Sequence, residues 1–440
     1  MQPAARLQAV IEILDEIETG IAQAGVPADV AVANYTRTRR YIGSKDRRAI
    51  IALVYAVVRQ RGRHAWRLAE VGLPLTGRSL VISHIALNDQ DSARHFGDES
   101  PHAPPVLTEA EQTAVQTMPA GLEGAPLFAT HEVPYPLAEG LQRRFGSQFD
   151  EAIAALNSTA PLDIRSNPLK PKSLLSDELR KLEESIEKTT FSPIGFRSSS
   201  KLNLNGNPLL REGYVEVQDE AAQLACYLVD VGPGMSVIDL CAGAGGKTLL
   251  LSALMQNKGQ IFAFDVSANR LKNAKPRIDR AGCRNIQTKV LPKEVETRNT
   301  FLSGFAGKMD RVVIDAPCSG TGTWRRNPDQ RWRLRGMGLE NLCTEQSSLL
   351  EQGASLVKPG GRMIYMTCSL LPEENERVVD GFLQMAGSNW SAVDYKNVWQ
   401  RVLPGEPPET ASSNPLCLQL VPHMHQTDGF FVAILERHLS

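Results

Sequence analysis

The alternation of hydrophobic and polar positions divides the chain into three parts. From residue 1 to about residue 90, apolar residues recur at helical spacing in AARLQAVIEILDEIETGIAQ and again in KDRRAIIALVYAVVRQRGRHAWRLAEVGL. A stretch rich in Pro, Gly and Ala follows, from Ser100 to about Tyr135, and predicts an irregular connection with at most one helix, TEAEQTAVQTM. Residues 1–135 are therefore expected to form a helical domain with its linker.

The second part, residues 136–216, mixes a helical pattern with short strand-like runs and predicts a small α+β segment. In the third part, residues 217–440, apolar runs of strand length alternate with helical patterns. These runs are MSVIDLCA, GQIFAFDVS, DRVVIDAPC, GGRMIYMTC and FFVAILE. Continuous apolar strands separated by helices are typical of a mainly parallel sheet with helices on both faces. The predicted fold class is therefore an α/β Rossmann-like domain, with ligand sites at the carboxyl ends of its strands.

Composition narrows the class of protein. A chain of 440 residues suggests two or three domains, and no apolar run approaches the roughly 18 residues that a membrane helix needs. The first 20 residues contain no signal-peptide core, so we expect a cytoplasmic protein with no membrane partner. The seven cysteines include no C-x-x-C pair, which argues against a disulfide framework and against a metal site.

Net charge is −1, but two segments are strongly basic. The basic segment, Arg37–Arg67, has ten Lys and Arg residues against the single acid Asp46. The Arg/Trp segment, Trp324–Arg335, places five Arg and two Trp around one Asp. A run of charges is ordinarily a solvated helix face, whereas guanidinium and indole planes that alternate can stack on nucleic-acid bases. The second interpretation predicts an RNA or DNA partner.

The stretch VIDLCAGAGGKTLLLSALMQ predicts a strand, a glycine-rich turn and a helix. Glycines at 243, 245 and 246 allow a ligand to approach the backbone, and the helix N-terminus favours negative charge. A P-loop is excluded because position 241 holds Cys where its first Gly is needed. A dinucleotide fingerprint is excluded because position 248 holds Thr instead of its last Gly.

An S-adenosylmethionine site remains, because it needs a glycine turn after one strand and an acid at the end of the next. Asp265 ends GQIFAFD, 22 residues after Gly243. The alternative is a tight packing turn between strand and helix without a ligand.

Two strand-like runs end in Cys-Ser, at Cys318 and at Cys368. A single buried cysteine at a strand end is ordinarily a small hydrophobic residue. Here polar and turn-forming residues flank both, in DAPCSGTGT and in MTCSLLPEENE. Because parallel strands end at the same edge of a sheet, the two thiols are expected to converge beside the glycine turn.

The motifs DLCAGAGGKT, DAPCSGTGTWRRNPDQRW, YMTCSLLPEENE and TDGFFVAIL together resemble the Nop/Sun family of RNA cytosine-5 methyltransferases, in particular its RsmB-type branch. The resemblance is strong over residues 140–440 and weaker over the N-terminal helices, where that branch carries a NusB-like RNA-binding domain. It implies methyl transfer from S-adenosylmethionine to C5 of a cytosine in RNA. The implied substrate is 16S ribosomal RNA, free or within a small-subunit precursor. Residues 136–216 would then be an RNA-recognition segment, and the protein a monomer.

The resemblance also assigns roles to residues at matching positions. Cys368 would be the nucleophile, Cys318 would help to release the product, and Asp315 would contact the target base. The residues implied at the cofactor are Cys241, Ala242, Gly243, Ala244, Gly245, Gly246, Lys247, Asp265, Arg270 and Asp315. In one place the chain departs from the family pattern. Pro292 stands where an Asp beside the adenine is usual, which bears on cofactor affinity.

The implied chemistry explains why thiols are needed. Cytosine C5 becomes nucleophilic when a thiolate adds to C6, and the base must leave its stack to be reached. Stabilising N3 by Asp315 requires a protonated carboxyl. Spacing alone leaves open which cysteine attacks, since DNA cytosine-5 methyltransferases use the Pro-Cys type, and only the resemblance selects Cys368. Two other functions stay open: a tRNA cytosine-5 methyltransferase, and a catalytically weak RNA-binding factor in ribosome assembly.

Overall fold

The computed structural model describes residues 1–23, 25–88, 90–100, 102–170, 186–198, 206–334 and 338–439. The chain forms two compact units. The first comprises Met1–Gln142, Ser147–Ser158 and Thr323–Gly336, and the second comprises Arg143–Gly146, Thr159–Gly322 and Met337–Ser440. The three-part division expected from sequence remains a prediction.

The first unit is helical, as the apolar periodicity predicted. Its chain up to residue 158 forms nine helices among the described residues: α1 Pro3–Gln23, α2 Ala28–Thr38, α3 Ser44–Arg59, α4 Arg61–Glu70, α5 Gly77–Asn88, α6 Glu109–Thr117, α7 Leu127–Thr130, α8 Tyr135–Phe145 and α9 Phe149–Asn157. The last residues of α8 belong to the second unit. The connection before Tyr135 contains two helices where at most one was expected, because the short α7 packs on α4.

Several described residues of the Arg/Trp segment, among them Trp324, Arg325 and Arg331, are buried in the first unit. Trp324 is fully buried, and Arg331, only 1% exposed, stacks on its ring at 4.5 Å. Arg331 donates to the carbonyl of Glu132 at 3.0 Å and to the side chain of Asn157. Burial lowers the pKa of Arg331 to about 9, although Glu132 opposes the shift. The interpretation of Trp324 as a base-stacking residue is therefore wrong.

The second unit contains all twelve strands of the described chain and the remaining helices. The strands are β1 Leu162–Ser166, β2 Ile186–Lys188, β3 Gly195–Ser198, β4 Val215–Val217, β5 Ser236–Asp239, β6 Gln260–Asp265, β7 Ile286–Val290, β8 Met309–Asp315, β9 Val357–Thr367, β10 Trp390–Val393, β11 Leu418–Leu420 and β12 Phe430–Arg437. The helices are α10 Pro208–Arg211, α11 Glu220–Tyr227, α12 Gly246–Leu254, α13 Ala268–Ala281, α14 Val295–Ser303, α15 Gly338–Leu356, α16 Glu376–Ala386, α17 Tyr395–Val402 and α18 Pro422–His425.

The strands form two sheets. A small antiparallel sheet has the order β2-β3-β1-β4. The large sheet has the order β10-β12-β9-β8-β5-β6-β7, with β11 paired to β12. Strands β5 to β9 run parallel, and β12 joins them antiparallel. Apolar clusters cover both faces of this sheet, which confirms the predicted Rossmann-like class.

The topology places the site. From β5 the chain passes to β6 on one side, while β8 pairs with β5 on the other, so the connections diverge between β5 and β8. A crevice opens at the carboxyl ends of strands where such a reversal occurs. The glycine turn and both Cys-Ser loops follow these strand ends.

Candidate active site

The glycine turn links β5 to α12 and is held down by Asp265 at the end of β6. Gly245 takes a φ of +81° and caps α12, a conformation that favours glycine. Gly243 has a φ of +56°, and a Cβ there would meet no atom within 4 Å, so this backbone is open to a ligand. Asp265 accepts hydrogen bonds from the Gly243 N–H at 2.8 Å and from the Ser267 N–H at 2.7 Å. The carboxylate therefore joins the turn to the next loop.

Asp239, at the end of β5, is a buried acid that sequence reasoning missed. Its Oδ2 accepts from the Thr248 hydroxyl at 2.7 Å, while Oδ1 makes no hydrogen bond within the described residues. Burial raises the pKa of Asp239 to about 7, with a smaller contribution from the nearby Asp315. A buried carboxylate oxygen without a hydrogen bond can accept one from a cationic group of a ligand.

Two arginines that the sequence analysis did not single out contact carbonyl groups of the turn and of the start of α12. Arg277 donates to the Ala244 carbonyl at 2.8 Å and to Glu216 at 3.0 Å. The buried Arg165 lies 3.4 Å from the Gly246 carbonyl oxygen, and burial lowers its pKa. Both side chains stabilise the turn through its carbonyl groups.

A cleft of about 660 Å³ unites the glycine turn with the two Cys-Ser loops. Every site residue predicted from sequence lines it except Gly245, which forms the turn itself. The lining residues from that set are Cys241, Ala242, Gly243, Ala244, Gly246, Lys247, Asp265, Arg270, Asp315, Cys318 and Cys368. Next to Pro292, the side of the cleft carries Leu291, with Arg298 nearby in the lining. An apolar surface thus lies close to the position where the family pattern has an acid.

The two thiols meet at the far end of the cleft. Cys318 Sγ and Cys368 Sγ are 3.4 Å apart, within the range of a thiol hydrogen bond. The Gly322 N–H donates to the Cys368 carbonyl at 2.9 Å and joins the two loops. The hydrogen bond with Cys368, followed by burial, raises the pKa of Cys318 well above its ordinary value. Cys318 is therefore held as a neutral thiol that faces Cys368.

An ion pair lies between the turn and the thiols. Lys247 Nζ is 2.6 Å from Asp315 Oδ2 and 4.9 Å from the centre of the Phe430 ring. Burial alone lowers the pKa of Lys247, but the attraction of Asp315 outweighs burial and the net pKa is raised. Lys247 is therefore a cation that reaches Asp315, a partner which the sequence analysis did not foresee.

Two negative observations concern the described residues only. They contain no group of three or more His, Cys, Asp or Glu side chains arranged to hold a metal ion. They also include no helix with the length and apolar character needed to cross a membrane.

Comparison with known proteins identifies the family. Residues 226–436 match the family described as 16S rRNA methyltransferase RsmB/F. The probable ribosomal RNA small subunit methyltransferase B of Synechocystis is 32% identical over 318 residues, which cover 72% of this chain and 69% of that protein. Ribosomal RNA small subunit methyltransferase B of Shewanella oneidensis is 26% identical and covers 98% of both chains.

Among solved structures, the crystal structure of PH0851 superimposes with a TM-score of 0.79 at 25% identity and covers 99% of both chains. The likeness thus extends over the helical unit as well as the sheet. The sequence matches, the strand order and the cleft all agree with the resemblance carried by the cysteine and glycine motifs. The chain belongs to the RsmB/F family of 16S rRNA methyltransferases.

Proposed function

We propose that this enzyme transfers a methyl group from S-adenosylmethionine to C5 of a cytosine in 16S ribosomal RNA through a covalent bond between Cys368 and C6. The observation that carries the proposal is the cysteine pair, with sulfurs 3.4 Å apart, in the cleft that also contains the glycine turn. Cytosine-5 chemistry requires a thiol to add to the ring and then to leave it.

The cofactor end of the cleft fits S-adenosylmethionine. The Gly243–Lys247 turn offers open backbone, Asp265 is placed for ribose hydroxyls, and the unmet Oδ1 of Asp239 suits the amino group of the methionine part. Arg270 and Leu291 line the same end, with Leu291 as an apolar surface for the adenine. When bound, the cofactor supplies an electrophilic methyl group.

The Lys247–Asp315 pair is placed to read the base. Asp315 is an acceptor and Lys247 a donor, which complements the amino group at N4 and the acceptor at N3 of cytosine. Negative charge builds on the ring when a thiolate adds to C6, and a fixed ammonium nearby stabilises it. Lys247 thus removes the need for a protonated Asp315.

The thiols divide the work. Cys368 attacks C6 as a thiolate, and the C5=C6 electrons form the new bond from C5 to the methyl group as the methyl–sulfonium bond of the cofactor breaks and leaves a neutral thioether. Elimination then passes the C5 proton to a base, restores the double bond and breaks the bond between C6 and sulfur. Cys318, a neutral thiol beside Cys368, stabilises the departing thiolate by a hydrogen bond. The base must be flipped out of its stack to enter the cleft.

RNA binding falls to the helical domain, residues 1–135, which we propose is NusB-like, and to the segment 136–216. The basic segment separates into two kinds of residue. Arg59, Arg61 and Arg67 bond to carbonyl groups or to Glu18 within the first unit. The cations with exposed side chains are Arg37, Arg40, Lys45, Arg47 and Arg48, of which Arg47 and Arg48 also donate to main-chain carbonyls. These five are the candidates for phosphate contacts.

Labelled methyl transfer tests the proposed function. The enzyme is incubated with labelled S-adenosylmethionine and either 16S ribosomal RNA, small-subunit particles or tRNA, and 5-methylcytosine is then mapped. We expect label at one cytosine of 16S ribosomal RNA. Label only in tRNA would identify the enzyme as a tRNA methyltransferase, and RNA binding without any transfer would identify an assembly factor.

The RNA surface has its own test. Replacing Arg40, Lys45 and Arg48 by Ala should weaken RNA binding and lower the slope of log affinity against log salt by about one unit per lost phosphate contact. The matched control replaces three exposed cations of the second unit, Arg284, Lys289 and Lys308. If the slope of log affinity against log salt is the same for both triple variants, the RNA does not bind at the basic segment.

A further inference from the structure

The serines that follow the two cysteines share one buried carboxylate, that of Glu374. Glu374 is 0% exposed. Its Oε1 accepts from the Ser319 N–H at 2.8 Å and from the Gln346 amide at 3.0 Å. Its Oε2 accepts from the hydroxyls of Ser319 and Ser369. Four donors therefore converge on a group with about four acceptor sites.

This arrangement ties together the loops that present the thiols. Ser319 follows Cys318 and Ser369 follows Cys368, so a displacement of Glu374 moves the backbone next to both sulfurs. Gln346, which donates to Glu374, also donates to the Pro317 carbonyl at 2.9 Å, on the other side of Cys318. The Cys318 loop is thus fixed to the carboxylate on both sides of the cysteine.

We propose that Glu374 is a positioning residue which, through Ser319 and Ser369, holds the Cys318 and Cys368 sulfurs within contact of each other. The proposal rests on the proposed function, because it assigns Glu374 a part in the thiol chemistry of the same cleft. It also explains why the dipeptide Cys-Ser occurs at both strand ends: the cysteines act on the base and the serines set their separation.

The charge of Glu374 has a second consequence. The hydrogen bond with Cys368, burial and the charge of Cys368 raise the pKa of Cys318 most, and the negative charge of Glu374 adds a smaller contribution in the same direction. A negative charge near the thiol favours its neutral form. Glu374 therefore helps to keep Cys318 protonated while Cys368 bonds to the base.

The first test measures the separation of the thiols without RNA or cofactor. In Glu374→Gln, an amide offers fewer acceptor sites and introduces donors, so the four hydrogen bonds cannot all persist. Diamide oxidises the two thiols to a disulfide and takes up their two hydrogens, and peptide mass spectrometry measures the Cys318–Cys368 link. A disulfide needs close, well-oriented sulfurs, so we expect its rate, compared at pH values that give equal thiolate fractions, to fall at least about tenfold.

The control is Glu376→Gln. Glu376 is also buried, at 4% exposure, but it pairs with Arg144 and with the Ser412 hydroxyl instead of the two serines. It should lose stability in thermal unfolding while its disulfide rate stays near that of the wild type. Equal disulfide rates in the wild type and in folded Glu374→Gln would overturn the proposal.

The second test follows turnover. A displacement of about 1 Å at reacting groups can cost about 10²-fold, so kcat of Glu374→Gln should fall by that order while KM for RNA changes little. If this variant does not fold, the double variant Ser319→Ala and Ser369→Ala takes its place, because it removes only the two hydroxyls. It should lower both the rate of disulfide formation and kcat. Unchanged rates in the double variant would also contradict the proposal.

The two hypotheses fail separately. The disulfide rate depends on Glu374 even if the enzyme proves not to methylate cytosine. Conversely, methylation that persists in Cys368→Ala would refute the covalent mechanism and leave the disulfide measurement intact.

Discussion

The cofactor half of the cleft, between β5 and β6, is built largely from main chain, whereas the thiol half, between β8 and β9, is built from side chains. In the first half, Asp265 accepts a hydrogen bond from the Gly243 N–H of the turn, and Arg277 donates to the Ala244 carbonyl. In the second half, Lys247 and Asp315 pair with each other, and the cysteines meet sulfur to sulfur.

This difference between the two halves predicts how a substitution in each half affects the enzyme. Backbone groups survive most substitutions, so a single change in the cofactor half should weaken binding by a modest factor. Side chains carry the chemistry in the thiol half, so a single change there should remove a step of the reaction. Five variants sharpen or break this comparison, from the largest expected effect to the smallest.

Cys368→Ala should abolish methylation and leave no complex of protein and RNA that withstands denaturation, because the attacking sulfur is gone. Methyl transfer is measured with labelled cofactor, and the complex is sought on a denaturing gel. Cys343→Ala is the matched control, since this half-buried thiol of the second unit lies outside the cleft lining. A complex trapped by Cys368→Ala would reverse the roles of the two thiols.

Cys318→Ala should still form the bond to C6 and transfer one methyl group, but elimination should stall. Protein and RNA should then migrate together on a denaturing gel when cofactor is present. The double variant, with both cysteines replaced, should show no such complex. Normal turnover in Cys318→Ala would mean that the second thiol has no part in release.

Lys247→Met should lower kcat by about 10²–10³-fold, the scale of losing one fixed donor that stabilises developing negative charge. Removing the ammonium also leaves Asp315 without its partner at 2.6 Å. Lys272→Met, at an exposed position on α13, is the control. If Lys247→Met loses only cofactor affinity and keeps its kcat, while Lys272→Met is unchanged, Lys247 belongs to the cofactor half instead.

Asp239→Asn should change the pH dependence of cofactor affinity. The pKa of Asp239 is raised to about 7, so the carboxylate that would bind the amino group is about one tenth ionised at pH 6 and about nine tenths at pH 8. Affinity of the wild type for S-adenosylhomocysteine, measured by calorimetry, should therefore rise about tenfold between these values. The Asp239→Asn variant should bind S-adenosylhomocysteine weakly, and its affinity should not change with pH over the same range.

Asp265→Ala serves as the comparison for that experiment. It should weaken binding by about tenfold at every pH, since it removes a charge-assisted bond without removing the group that titrates near 7.

The raised pKa of Asp239 also makes the folding free energy of the unliganded wild type less favourable as pH rises from about 4 to about 7, because the folded state then retains a proton that the unfolded state has lost. If the affinity of the wild type for S-adenosylhomocysteine does not change with pH, Asp239 is not the partner of the ligand's ammonium group.

Much of the fold follows from local sequence pattern. The apolar runs at β5, β6, β8, β9 and β12 are buried strands because continuous Val, Ile, Leu and Phe have no other stable environment in such a chain. The cleft residues were also predictable, since the glycine turn, Asp265 and both Cys-Ser dipeptides end strands, and strand ends of a parallel sheet share one edge.

The buried polar residues were not predictable from local pattern. Arg331 lies in a sequence that resembles a solvated, RNA-facing loop, yet it is buried because Glu132 and Asn157, far away in the chain, offer oxygen atoms to it. Glu374 likewise lies in a polar stretch, PEENE, which is typical of a solvent-exposed loop although Glu374 and Glu376 are both buried. Long-range hydrogen-bond partners decide which acid or arginine enters the core.

The return of residues Thr323–Gly336 to the first unit constrains how the protein is made. A ribosome releases the chain from its N-terminus, so helices α1 to α9 emerge while Trp324 and Arg331 have not yet been synthesised. The Glu132 carbonyl and the Asn157 side chain therefore lack their partner Arg331 until most of the second unit has been translated. The residues that bury Trp324 stay uncovered for the same time. The N-terminal helices therefore complete their folding late, although they are made first.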